Sequence, residues 1–229
     1  MVEGVRLCEE ALQAGWNARL VLYTEDLNTR GQAIVEGYHS HEVPIEIVAP
    51  HVMQSISDTD TPQGVLAVLN QRALPLPDVV DFVFIPDGIR DPGNLGTMLR
   101  TARAAGVQAV FLPFGTVDPF SPKVVRAGMG VHFWLPIHLQ SWKEIHSQLS
   151  KASMNVYLAA AGEGQSYLLG DFRTPIAIIV GGEAQGVREQ AREIADRLVF
   201  IPMPGGGESL NVAAAAAILL YEVFRQRTG

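Results

Sequence analysis

RLVFIPMPGGGESLNVAAAAAILLYEVFRQR, Arg197 to Arg227, is the stretch whose reading decides the fold. Leu198 to Met203 is an apolar run of strand length, and Gly205-Gly206-Gly207 lets the backbone turn sharply after it. Ser209 is placed to cap a following helix. From Leu210 to Phe224 apolar residues are nearly continuous, with five alanines at 213–217. A helix with so little polar face must be covered on most sides. Its short side chains also let another backbone come close. Glu208, Ser209 and Asn211 therefore sit at a strand-to-helix turn, beside flexible glycines and free helix N–H groups. Such a turn suits a ligand.

Upstream, the same alternation repeats back to Asp81. Strands are expected at 82–87, 108–113, 132–138, 155–160 and 175–180, and helices at 95–106, 121–128, 142–151 and 188–195. Strands alternating with helices imply a mainly parallel sheet with helices on both faces. Ligands of such sheets gather at the carboxyl ends of the strands. Residues 1–72 show a shorter alternation of their own, with helices near 5–14, 32–38 and 51–56 and strands near 18–23, 45–48 and 64–69, the pattern of a small α/β domain. Between them RALPLPDVV (72–80) carries prolines at 75 and 77. Domains are thus expected over 1–72 and 81–229, joined by a linker at 73–80.

Composition bounds the rest. The chain has 229 residues, 48% hydrophobic and 18% charged. A single cysteine, Cys8, excludes an intrachain disulfide and reads as a buried small hydrophobe. No apolar span is long enough for a membrane helix, so a cytoplasmic location without membrane attachment is expected. The net charge of −7 argues against a nucleic-acid partner as a general field. Only the charge at the contact matters, however. Arg90, Arg100, Arg103, Lys123 and Arg126 fall within one short segment and form either a local basic patch or ordinary solvated surface.

Three loops at strand ends stand out. In Asp87-Gly-Ile-Arg-Asp-Pro-Gly-Asn94, Asn94 reads either as a helix cap or as a ligand group. Arg100, two turns into an otherwise apolar helix, calls for a carboxylate, a carbonyl or a ligand phosphate as its partner. In Gly181-Gly-Glu-Ala-Gln-Gly186 the glycines allow close approach of a ligand, and Glu183 is either functional or a turn-capping glutamate. The third loop is Ile201 to Asn211. A dinucleotide fingerprint fails because its final glycine would fall at Leu210, and no Gly-Lys-Ser/Thr occurs. The six histidines are scattered and, with one cysteine, give no metal constellation. No G-x-S-x-G elbow supports a hydrolase.

Together the loops resemble the three motifs of the SpoU (TrmH-like) RNA ribose 2′-O-methyltransferases of the SPOUT superfamily. DPGNLGTMLRTARAAG (91–106) is similar to motif 1, IIVGGEAQGV (178–187) to motif 2 and IPMPGGGESLNVAAAAAILLYE (201–222) to motif 3. Residues 2–70, beginning VEGVRLCEEAL, look like the family's small substrate-binding domain. The resemblance implies a C-terminal trefoil knot, S-adenosylmethionine as cofactor and a homodimer that needs no metal. By position, Gly181, Ile201 and Leu210 would contact the cofactor, with Gly182 and Met203 close by. Arg100 would clamp an RNA phosphate and acidify the ribose hydroxyl, since a guanidinium scarcely serves as a base. Asn94 would fix the loop and the ribose, while Glu183, Ser209 and Asn211 would orient the acceptor. The implied reaction is methylation of a ribose 2′-hydroxyl in 23S ribosomal RNA. The alternatives are the same reaction on transfer RNA and a non-catalytic knotted RNA-binding protein.

Overall fold

The computed structural model describes residues 1–182, 188–207 and 209–229, in two compact units. The first comprises Met1–Arg72 together with His132–Trp134, and the second comprises Ala73–Val131 and Leu135–Gly229.

The first unit runs β1 (Val2–Glu3), α1 (Val5–Gln13), β2 (Ala18–Tyr23), α2 (Thr29–Ser40), β3 (Ile45–Ile47), α3 (Pro50–Ile56) and β4 (Val65–Leu69). Its sheet has the order β1-β4-β2-β3, and only β2 and β3 are parallel. Val5, Cys8 and Ala11 recur at the spacing of one helix face, and that face of α1 is buried. Asn28 caps α2 by accepting from the Gly31 N–H at 2.9 Å, and Pro50 opens α3 where its missing N–H costs nothing. Cys8 is fully buried, and burial pushes its thiol up to about 12. It is an inert core residue.

The second unit runs β5 (Phe82–Asp87), α4 (Pro92–Ala104), β6 (Ala109–Pro113), α5 (Pro122–Ala127), β7 (Ile137–Gln140), α6 (Trp142–Lys151), β8 (Asn155–Ala159), β9 (Gln165–Ser166), β10 (Ile176–Gly181), α7 (Glu189–Ile194), β11 (Arg197–Phe200) and α8 (Val212–Thr228). Among the described residues seven strands pair in the order β7-β6-β5-β10-β8-β11-β9, each pairing parallel. Because side chains alternate across a strand, β5 and β10 feed two cores. Phe82, Phe84, Ile176 and Ile178 face the core shared with α4, α5 and α8. Val83, Ile85, Ala177 and Ile179 face the core shared with α6 and α7. Helices therefore cover both faces.

One local expectation changes. The strand expected at 132–138 forms only over β7, because Val131–Phe133 makes a 3-10 turn and the Leu135 N–H bonds the Val131 carbonyl. Pro136, lacking an N–H, cannot extend a ladder through this point. The 73–80 segment has no helix or strand, yet it is no free tether. Leu76 and Val80 pack against the second unit's core, and the Leu74 carbonyl lies 2.8 Å from His138 Nε2. No helix among the described residues is long and apolar enough to cross a membrane.

Candidate active site

The site is built at the carboxyl ends of β5 and β10, the two adjacent strands in the middle of the sheet. Here the chain segments after these strands touch through their backbones. The Gly182 N–H donates to the Asp87 carbonyl at 2.8 Å, and a Cβ on Gly182 would stand 2.4 Å from the Gly88 oxygen. Only glycine fits there.

Against this contact lies a cavity of about 240 Å³. Gly181, Gly182, Ile201, Met203 and Leu210, the five residues expected around a cofactor, all line it, and so do Ser209, Ala215 and residues 159–162. No lining side chain among the described residues is charged, so a ligand here meets backbone polar groups, the Ser209 side chain and apolar surface. A second cleft of about 140 Å³ is lined by Gly88, Ile89, Arg90, Asp91, Asn94, Gly182 and Val212. Gly182 and Val212 line both, which makes the two spaces neighbours.

Two asparagines meet at this boundary. Asp91, not Asn94, caps α4: its Oδ1 accepts from the Asn94 N–H at 2.7 Å, and Pro92 follows at the first helical position. The Asn94 side chain is thereby released to accept from Asn211 Nδ2 at 3.2 Å. Asn211 in turn caps α8, its Oδ1 accepting from the N–H groups of Ala213 (2.9 Å) and Ala214 (3.3 Å). Ser209 does not cap, because α8 begins at Val212 and a cap must immediately precede the first helical residue. Its side chain is left at the cavity.

Arg100 is exposed on α4 and has no hydrogen-bond or ion-pair partner among the described residues. Of the three partners expected for it, no carboxylate or carbonyl of the described residues is bonded to it, and the guanidinium faces solvent, where an anion can reach it. Glu183 lies outside the described residues, as does Glu208. No group of three or more His, Cys, Asp or Glu side chains that could hold a metal occurs among the described residues.

The sequence reading missed one feature. Asp87, 1% exposed at the end of β5, pairs with Arg188 just beyond the motif 2 segment. Burial pushes the Asp87 carboxyl up, and the Arg188 guanidinium pulls it back down. Arg188 also donates from Nη1 to the Phe114 carbonyl at 2.8 Å. A carboxylate closing a fully apolar strand was the available signal; nothing in its pattern distinguishes Arg188.

A wholly parallel sheet whose middle strands end at a glycine-walled cavity, with paired asparagines beside it, defines an α/β protein built to hold a cofactor-sized ligand next to a second substrate. The chain belongs to the SpoU rRNA methylase family, whose model matches residues 81–221. Residues 1–67 match the MRM3-like substrate binding domain. Over 223 residues, 97% of this chain and 87% of the relative, it is 34% identical to the 23S rRNA (guanosine(2553)-2′-O)-methyltransferase RlmP of Bacillus subtilis. It is 30% identical to human mitochondrial rRNA methyltransferase 3, over 100% of this chain and 68% of that one. Among solved structures, the SpoU methyltransferase AviRb from Streptomyces viridochromogenes in complex with AdoMet matches with a TM-score of 0.88 at 28% identity, covering 99% of this chain and 89% of that one.

Proposed function

We propose that this chain methylates a ribose 2′-hydroxyl in 23S ribosomal RNA, using S-adenosylmethionine, as a cytoplasmic homodimer. The observation that carries the reading is the junction of the cavity and the cleft at Gly182 and Val212, with Asn94 and Asn211 bonded beside it. One space suits a cofactor and the adjoining one an acceptor. The trefoil knot and the assignment of RNA contacts to the first unit belong to the same proposal.

The cavity fits the cofactor's chemistry: aliphatic walls at Ile201, Met203 and Leu210 for a planar base, and exposed backbone at Gly181 and Gly182 for polar edges. When bound, S-adenosylmethionine supplies a methyl group on a sulfonium, open to in-line displacement. The protein contributes mainly position. Asn94 and Asn211 hold each other and present their remaining amide groups to the ribose, while Ser209 lines the cavity. Arg100, solvated and unpartnered among the described residues, takes an RNA phosphate and steadies negative charge as the 2′-hydroxyl loses its proton.

The direct test offers unmodified 23S ribosomal RNA and labelled S-adenosylmethionine to the protein, with and without excess chelator. Methyl transfer to a ribose hydroxyl, unchanged by chelation, is expected. Transfer to transfer RNA alone, or loss of cofactor binding on chelation, would contradict the reading. With a net charge of −7, binding to RNA must rest on local contacts and fall steeply with salt.

The dimer has a specific candidate surface. Ala216 is buried in the core and Ala215 lines the cavity, so neither reports on an interface. Ala214, Ile218, Tyr221 and Phe224 instead form a helical stripe on α8, with Tyr221 48% and Phe224 44% exposed. Tyr221→Glu is expected to convert the dimer to monomer in sedimentation, since an unpaired charge in a buried interface costs about 3–5 kcal/mol. An active wild-type monomer would rule the dimer out.

A further inference from the structure

The loop after β6 combines a tightly held backbone with an exposed aromatic ring. Thr116 Oγ1 accepts from the Gly88 N–H at 3.1 Å and donates to the Pro86 carbonyl at 3.2 Å, and the Val117 N–H donates to the Ile89 carbonyl at 2.8 Å. These bonds fasten residues 116–117 to the segment that walls the acceptor cleft. Arg188 completes the hold. Its guanidinium pairs with buried Asp87, bonds the Phe114 carbonyl, and lies within 3.7 Å of the positions that Cβ atoms on Gly88 and Gly115 would occupy. Gly115 has a φ of 96°, which turns the backbone directly after Phe114.

On this fastened loop the Phe114 side chain is left 62% exposed. A lone exposed apolar residue is ordinary. A ring whose main chain is clasped by a guanidinium, itself ion-paired to a buried carboxylate beside the cleft, is not. Phe114 does not line the cofactor cavity, so its ring is free for another ligand. Arg90, which lines the cleft on this side and is exposed, supplies a cation for a phosphate that flanks the base.

Resting on the methyltransferase reading above, we infer that Phe114 is a stacking platform for an unpaired base of the substrate RNA adjacent to the methylated nucleotide. A flat ring presented on a backbone that cannot retreat stacks any base at little ordering cost, and such stacking contributes to affinity irrespective of base identity. The Asp87–Arg188 pair keeps the platform in place.

The test compares wild type, Phe114→Ala and Phe114→Trp for equilibrium binding of an unmodified 23S ribosomal RNA transcript, S-adenosylmethionine binding, sedimentation and single-turnover methylation. Phe114→Ala is expected to weaken RNA binding by about 5- to 150-fold, the equivalent of losing one base–aromatic stack. Cofactor affinity and oligomeric state should be unchanged, and Phe114→Trp should bind RNA like wild type. Unaltered RNA binding by Phe114→Ala overturns the inference. So does dissociation of the dimer by the same change, which would make Phe114 an interface residue. RNA binding is read without turnover, so a wild type that binds the transcript but never methylates it would sink the activity reading and leave the stacking result to stand or fall separately.

Discussion

Arg100→Ala is expected to slow single-turnover methyl transfer by about 10²- to 10³-fold, the usual cost of removing one group that stabilises developing charge. The fold should survive, because Arg100 is exposed and bonded to nothing among the described residues. Surface changes of that kind stay within about 0.5 kcal/mol. Cofactor affinity should also survive, since Arg100 does not line the cavity. The same variant should show a shallower salt dependence of RNA binding, with the slope reduced by about one phosphate contact. Arg100→Lys should recover part of the rate, because a point charge can hold a phosphate without the fork geometry. Four measurements check this: a melting curve, a cofactor titration, RNA binding across a salt series and a single-turnover time course. Near wild-type turnover in the alanine variant would return Arg100 to the status of an ordinary solvated side chain.

The chain's periodicity carried most of this architecture. Strands at Phe82–Asp87 and Ile176–Gly181 are continuous apolar runs because both their faces are covered, and such runs are legible without knowing what covers them. The amphipathic α6 begins at Ser141 with a full capping box to Glu144, a signal written in the local sequence. What failed was assignment at single positions. Asn94 and Ser209 look as good as caps as Asp91 and Asn211 do, and the choice depends on where the helix starts by one turn or less. The two-residue strands β1 and β9 are too short to show a period, and only their partners define them. At the site, the motif resemblance named five residues that line the cavity; only Gly181 and Gly182 were legible from residue type, because close backbone approach favours glycine. The Asn94–Asn211 bond joins residues far apart in sequence and depends on tertiary placement of two helix starts. The Asp87–Arg188 pair is hidden for the same reason: an arginine after a glycine-rich stretch of sequence has no local feature that names its partner.

Gly182→Ala tests whether the backbone contact between the two loops is what shapes the cavity. Its Cβ would stand 2.4 Å from the Gly88 oxygen and 3.0 Å from the Gly88 carbonyl carbon, both main-chain atoms that cannot swing aside. Something must therefore move. Either the segment at 87–88 or that at 181–182 is displaced, and the Gly182 N–H to Asp87 carbonyl bond stretches with it. Overpacking of this sort costs about 1–3 kcal/mol. The displaced residues wall both the cavity and the cleft, so the strain falls on ligand geometry as well as on stability. S-Adenosylmethionine affinity should drop by about 10- to 100-fold, as 1.4 kcal/mol corresponds to each factor of ten, and the melting temperature should fall. Gly205→Ala supplies the contrast. Nothing lies within 4 Å of a Cβ at Gly205, and its φ is not positive, so it should bind cofactor and melt like wild type. A calorimetric titration of both variants decides the matter. Equal cofactor affinity in Gly182→Ala and wild type would mean that the cavity tolerates separation of the two loops, and that cofactor affinity resides in the wall formed by Ile201, Met203 and Leu210 instead.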